Sequence, residues 1–238
     1  MNILERLEDD DFYYGEVRKA AISASNINAI LEGRFDEPSE HKPAFEIGKY
    51  FHCLTLEPEK IPDFEVKDVT RRGKGETYLK TSEVDMCNNM KKSHDAHTEA
   101  RGILYGPGVE YEVPGITIID GVLFVGKCDI LNPQIGWLGD LKSTSFIQDF
   151  DNSIRKWYTA QLWLYYKIFD LPTSYIVTDK KTLETEVIYP DKFQYAAGKA
   201  KVLEAIGLYK QNYPEHYQRN LELQLEVTGS IGDYIQTQ

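Results

Sequence analysis

The sequence is short of cysteine, methionine and positive charge, and it has no long apolar run. Its three cysteines, Cys53, Cys87 and Cys128, are an odd number without C-x-x-C spacing. That argues against a disulfide framework and a zinc site, and leaves reduced thiols as the expectation. No stretch approaches the ~18 consecutive apolar residues of a membrane-spanning helix. The opening MNILERLEDDDFYYGE is acidic where a secretory leader would be basic and then apolar. A cytoplasmic protein without a membrane partner is expected. Lysine and arginine total 27 against 38 aspartates and glutamates, a net charge of −11, which argues against coating nucleic acid through a global basic field. A local basic groove is still open to it. The runs KDVTRRGKGETYLK (67–80) and MKKSH (90–94) are candidate patches, and equally candidate solvated surface.

What is present is ordinary globular composition, 42% hydrophobic and 27% charged over 238 residues, which fits one domain spanning 1–238. There is no internal repeat. Ser23 and Ser25 are candidate N-caps for a short helix through Ile27, Ile30 and Leu31 that stops at Gly33. AFEIGKYFHCLTLEPEK has helical spacing, carries His52 and ends at Pro58. An edge strand and mobile loop are expected over 61–80, then a polar helix over 81–104. From 109 to 142 the chain turns β-branched and aromatic, with turn signals at Pro114-Gly115, Asp120-Gly121 and Asn132-Pro133, so a meander is expected. A largely buried helix (153–169), a strand pair, a last helix and a loose tail over 226–238 complete the reading.

One segment conflicts with its own secondary structure. GKCDILNPQIGWLGDLKST (126–144) places Asp129, Asp140 and Lys142 in strands, whose interiors disfavour such residues. With Asn132 and Trp137 as the last pair around the PQIG turn, Asp129 and Asp140 become direct cross-strand partners, their Cβ atoms about 5 Å apart. Facing carboxylates destabilise a sheet unless a cation compensates. Lys142 emerges two residues on, on the same face. The flanks VLFVGKCDIL and GWLGDL are too apolar for an exposed hairpin, and unpaired charge at the end of a buried sheet is expensive. Carboxylate oxygens are the donors Mg²⁺ and Mn²⁺ prefer, with substrate phosphate completing the shell. Phosphodiester hydrolysis is the chemistry this arrangement predicts. Gln161 and Tyr165, four apart, share a helix face.

GKCDILN, then GDLKST, then AQLWLYY resembles the PD-(D/E)xK nucleases of the RecB-like group. EIGKYFHCLTLEPEK looks like the Gly-x-x-x-His segment ending in Leu-Glu-Pro of the exonuclease VIII (RecE-type) branch, known from phages and prophages. With ISASNINAIL the similarity spans about residues 20–210. The resemblance implies an α/β (α+β) restriction-endonuclease-like core, a central mixed β-sheet flanked by helices. It implies metal ligation by His52, Asp129, Asp140 and the Leu141 carbonyl, with Lys142 as catalytic lysine and Gln161 and Tyr165 lining the site. An acid on the preceding strand is matched by Glu110, with Glu112 also available. The motif reads CD where the wider family has PD, and Cys128 is expected to pack as a small apolar residue.

The resemblance further implies Mg²⁺-dependent (Mn²⁺ substituting), ATP-independent digestion of double-stranded DNA from 5′ ends. The 3′ tails left behind would suit an annealing recombinase, and the implied assembly is a tetrameric ring in a bacterial or phage-infected cell. An endonuclease or single-strand nuclease of the same superfamily is the first alternative, separated by circular against linear substrates. A non-catalytic DNA-end-binding or assembly protein is the second, and the full set Asp129, Asp140 and Lys142 argues against it.

Overall fold

The structure, a computed structural model, describes residues 3–38, 43–73 and 75–236. Short helices α1 (Ile3–Arg6), α2 (Asp10–Phe12) and α3 (Arg18–Ala20) open the chain, with a π-helical turn at Tyr13–Val17. Helix α4 (Ala24–Leu31) starts from a capping box between Ser23 and Asn26, and the chain leaves it through Gly33 at φ 68°. Helix α5 (Pro43–Leu56) is followed by a 3₁₀ turn (Pro58–Asp63). The region expected as edge strand and loop holds a short parallel pair, β1 (Val66–Lys67) and β2 (Leu79–Lys80). The polar helix expected over 81–104 is two helices, α6 (Thr81–Ala96) and α7 (Thr98–Tyr105). The break falls at His97, whose ring accepts the Ala100 N–H at 3.2 Å and so starts a second helix.

The meander is β3 (Glu110–Ile119), β4 (Val122–Asn132) and β5 (Trp137–Thr144). Asp120 and Gly121, both at positive φ, turn β3 into β4. Asn132 Oδ1 accepts the N–H groups of Gln134 and Ile135 and sets the β4–β5 turn, with Asn132 opposite Trp137 as the spacing predicts. Pro114 and Gly115 do not turn; they continue β3 opposite Lys127 and Gly126. β3 lies at the sheet edge, where a residue lacking an N–H is tolerated.

A 3₁₀ turn (Ile147–Asp149), α8 (Phe150–Ser153) and a π-helical turn (Ile154–Tyr158) lead into α9 (Thr159–Phe169). Strands β6 (Thr173–Asp179) and β7 (Thr185–Ile188) precede α10 (Lys192–Asn212) and α11 (Pro214–Gln236). The loose tail expected from residue 226 is helical as far as Gln236, and residues 237–238 lie outside those described. Tertiary packing overrides the polar composition there: Val227 is buried with Leu7 and Leu223, and the Asn220 amide bonds both the N–H and C=O of Leu123 and the carbonyl of Ala20.

The main sheet has the order β3-β4-β5-β6-β7, with β5 and β6 parallel and the other pairs antiparallel. It is the mixed, helix-flanked α/β (α+β) sheet expected. One core joins Val122 and Phe124 to α4, α9 and α10 through Ile27, Leu164 and Val202. Another joins Ile130, Leu141 and Ile176 to α5, α6 and α7 through Phe51, Met90 and Leu104. Each such side chain contributes about 1.5–3 kcal/mol on burial.

Two glycines let α9 lie close to the sheet. Gly115 and Gly126 face each other, and a Cβ on Gly126 would come 2.9 Å from both Tyr165 Cε1 and Ile168 Cδ1. Gly126→Ala is therefore expected to lower the unfolding free energy by about 1–3 kcal/mol, the usual cost of overpacking. Urea denaturation with an unchanged midpoint would show that α9 yields freely.

Candidate active site

The register places three carboxylates in one row. Glu112 falls between the pairs Tyr111↔Ile130 and Val113↔Cys128, which sets it opposite Asp129. One step beyond Ile130↔Gly139, Asp129 stands opposite Asp140. The β4–β5 ladder stops before that step, while β5 continues on β6 through Thr144. Asp129 Oδ2 instead accepts the Leu141 N–H at 2.8 Å. The N–H and C=O of a strand residue point to the same side, so the Leu141 carbonyl also faces the space β4 has left.

His52 meets this row where β4 and β5 part. Its Nε2 lies 3.2 Å from Asp129 Oδ2 and 3.2 Å from Glu112 Oε1. Donor atoms of His52, Glu112 and Asp129 all fall within 4.8 Å of one another. Asp140, fully buried, stands outside that trio: its Oδ1 pairs with the Lys142 ammonium and its Oδ2 accepts from Gln161 Nε2 at 2.7 Å. Lys142 also lies 5.3 Å from the centre of the Tyr158 ring. Tyr165 donates from its hydroxyl to the Lys127 carbonyl at 2.8 Å, which ties α9 to β4.

Glu110 is corrected by this geometry. It is exposed and pairs with Leu131 toward the hairpin tip, whereas Glu112 joins His52 and Asp129. Alternation puts both glutamates on one face, so spacing alone cannot choose. Glu112 sits at φ 53°, in the left-handed region non-glycine residues avoid, a strain typical of functional positions.

Burial alone would lower the His52 imidazole, but the carboxylates of Asp129 and Glu112 outweigh it and lift it to about 9. Burial raises Glu112 to about 7 and, with Asp129 beside it, Asp140 to about 6. Asp129 is held below the usual range: burial opposes ionisation, and His52 and Lys142 overcome it. Lys142 is pushed up, because Asp140 and Asp129 more than offset its burial.

The trio is chemically suited to a divalent cation. Two carboxylates and an imidazole make a hard, anionic donor set, and Glu112 Oε1, although 3.2 Å from His52 Nε2, is buried and accepts no hydrogen bond. The three cysteines are free and buried, and burial raises the Cys128 thiol, which removes it as a nucleophile. Of the two basic runs, Lys67, Arg72, Lys80 and Lys91 are engaged by acidic neighbours. Lys127 is a residue the sequence reading leaves unassigned, although a lysine two positions before Asp129 in an apolar strand was itself a signal. It lines a cleft of about 580 Å³ together with His52, Glu112, Asp129, Gln161 and Tyr165.

The chain matches the family described as a PDDEXK-like domain of unknown function (DUF3799) over residues 15–213. It belongs to that family, and with it to the PD-(D/E)xK nuclease superfamily, whose members use divalent metals. Its fold is similar to that of a protein from Eubacterium rectale named as a candidate exonuclease, with a TM-score of 0.60 and 16% identity over 89% of this chain and 85% of that one. A phage-related exonuclease of Haemophilus somnus 129PT is similar more loosely, with a TM-score of 0.39 and 17% identity over 82% of this chain and 96% of that one. No curated protein matches the chain. Among the described residues, no helix is long and apolar enough to cross a membrane.

Ligation needs a neutral imidazole and ionised carboxylates, so protons compete with the cation. With His52 near 9 and Glu112 near 7, cation binding at pH 7 is expected to release about one proton or more. The apparent affinity should then rise roughly tenfold per pH unit toward pH 9. Calorimetry in buffers of differing ionisation enthalpy reads the release, and a pH-independent affinity would exclude His52 as a ligand. In the same assay Glu112→Gln should weaken the cation by at least about tenfold, with Glu110→Gln unchanged.

Proposed function

We propose that the protein is a Mg²⁺-dependent, ATP-independent exodeoxyribonuclease that degrades double-stranded DNA, 5′ to 3′, and leaves 3′ single-stranded tails. The observation that carries the reading is the convergence of His52, Glu112 and Asp129 on one wall of the cleft, with the Asp140–Lys142 pair next to them on β5. Membership of the PD-(D/E)xK superfamily supports nuclease chemistry. The name of the Eubacterium rectale protein and the RecE-type motifs support the exonuclease mode.

His52, Glu112 and Asp129 would hold the cation, with Asp140 and the Leu141 carbonyl adjacent to them. Mg²⁺ or Mn²⁺ held there would supply Lewis-acid chemistry, polarising a phosphoryl group and stabilising a leaving 3′ oxygen. Hydrolysis forms a bond from a water oxygen to phosphorus and breaks the P–O3′ bond. Lys142 stays protonated against two carboxylates, so it donates hydrogen bonds, orienting the attacking water and neutralising charge that builds on the phosphoryl oxygens. Gln161 holds Asp140 by its second oxygen and so fixes the carboxylate against which Lys142 is set. Double-stranded DNA ends, a tetrameric ring and an annealing recombinase partner belong to the same proposal.

The test uses linear duplex DNA labelled at either end, closed circles and single strands, with Mg²⁺, Mn²⁺ or chelator. Release of the 5′ label from linear duplex alone, without ATP, is the expected result. Cut circles would give an endonuclease, preference for single strands a single-strand nuclease, and binding without cutting an architectural protein. Asp140→Asn, which keeps the volume beside half-buried Lys142, should cost about two orders of magnitude in rate or more.

A further inference from the structure

Positive charge around the cleft is scarce, and much of it is committed. Lys142 serves Asp140, and Arg18 reaches Ser25 Oγ at 3.4 Å. Lys127 lines the cleft, 3.8 Å from Glu112 Oε2, with the rings of Tyr13 and Tyr14 centred 5.7 and 5.6 Å from its ammonium. That ammonium donates to Asp10 Oδ1 at 2.7 Å, while Lys60 donates to Asp10 Oδ2 at 2.9 Å and also meets Glu57 at 2.5 Å. A single carboxylate from the N-terminal segment thus bridges two lysines at the rim. Each of its oxygens takes one charge-assisted hydrogen bond, as two oxygens of a phosphate would.

The three groups stand on different elements, with Lys60 in the 3₁₀ turn at Pro58–Asp63 and its side chain 37% exposed. Lys127 is set in the central sheet and its side chain is 11% exposed, whereas the Asp10 side chain is 41% exposed on a helix of three residues. Both lysines lie inside the residues matched to the family, and Asp10 lies ahead of them. Burial disfavours the Asp10 carboxylate, but the two lysines outweigh it and hold it ionised. In a chain of net charge −11 whose cleft wall carries Glu112 and Asp129, a polyanion needs local cations to approach. Lys60 and Lys127 are cations in the right place, and Asp10 covers them.

We propose that Lys60 and Lys127 form a binding site for a DNA backbone phosphate at the mouth of the cleft, and that Asp10 is its intramolecular occupant, displaced as DNA enters. The inference rests on the reading of the protein as a DNA-cleaving enzyme, and adds to it the residues that receive the strand and an internal competitor for them. A strut and a competitor differ in sign. Removing a strut loosens the segment and weakens or leaves unchanged the binding of DNA, whereas removing a competitor tightens it.

The measurement is fluorescence anisotropy of a short labelled blunt duplex with Ca²⁺ in place of Mg²⁺, so that binding is read without cleavage. Asp10→Asn is expected to tighten binding about two- to fivefold. Asp11→Asn makes the same change in net charge without touching either lysine, and is expected to do distinctly less. Lys60→Ala should weaken binding and flatten the dependence of log Kd on log salt by about 0.9, the loss of one phosphate contact. Equal effects of Asp10→Asn and Asp11→Asn, weaker binding by Asp10→Asn, or an unchanged salt slope in Lys60→Ala would each overturn the phosphate site. A protein that binds duplex in this pattern but cuts no DNA fails the nuclease reading alone. One that cuts DNA without the pattern fails the phosphate site alone, and one that neither binds nor cuts fails both.

Discussion

Three carboxylates on three adjacent strands, turned to one largely buried face, are the constraint around which this molecule is arranged. Glu112, Asp129 and Asp140 repel one another, and burial magnifies the repulsion. They are answered from three elements, α5, β5 and α9. Helix α5 brings His52 to the first two, the β5 backbone offers the Leu141 N–H to Asp129, and Lys142 with Gln161 takes Asp140. The early end of the β4–β5 ladder follows from the same demand, since a continued ladder would have consumed the Leu141 N–H that Asp129 requires. The close seating of α9 over Gly115 and Gly126 follows as well, because Gln161 and Tyr165 must reach the sheet.

Protons and a cation compete for the same donor atoms at this row of acids. His52 carries the proton between Asp129 and Glu112, whose charges outweigh burial and lift the imidazole to about 9. Lys142 plays a different part. Its charge is fixed by Asp140 and Asp129, which outweigh its burial, so it stays a cation whatever happens at His52. One row of acids therefore presents an exchangeable positive group at one end and a permanent one at the other.

What the sequence disclosed was local or strictly periodic. Asn132 and Gly136 fix the β4–β5 turn through short-range chemistry, so the opposition of Asp129 and Asp140 followed by counting. The facing of Gln161 and Tyr165 likewise needed only the helical repeat. The choice of Glu112 over Glu110 depended on the β3–β4 register, which sets Glu112 opposite Asp129 and runs straight through a Pro114-Gly115 pair that reads as a turn. Pro114-Gly115 carried a turn's composition but serves an edge strand and a helix contact. The segment after residue 226 looked like a tail because the residues that bury Val227 lie at the other end of the sequence. The Asp10 clamp was invisible for the same reason, since its lysines stand 50 and 117 positions away.

Asn220 joins the two ends of the chain with a single side chain. Its amide holds Ala20, 200 positions earlier, and both backbone groups of Leu123. The N-terminal segment, through Leu7, Tyr13 and Val17, shares one apolar cluster with Val227. On the ribosome, where residues are added in order, the central sheet and its acids can be complete before Asn220, Leu223 and Val227, which pack on the first helices, are made. The full seating of the segment that carries Asp10 therefore waits on α11, which is made after the row of acids and packs on that segment through Val227 and Asn220.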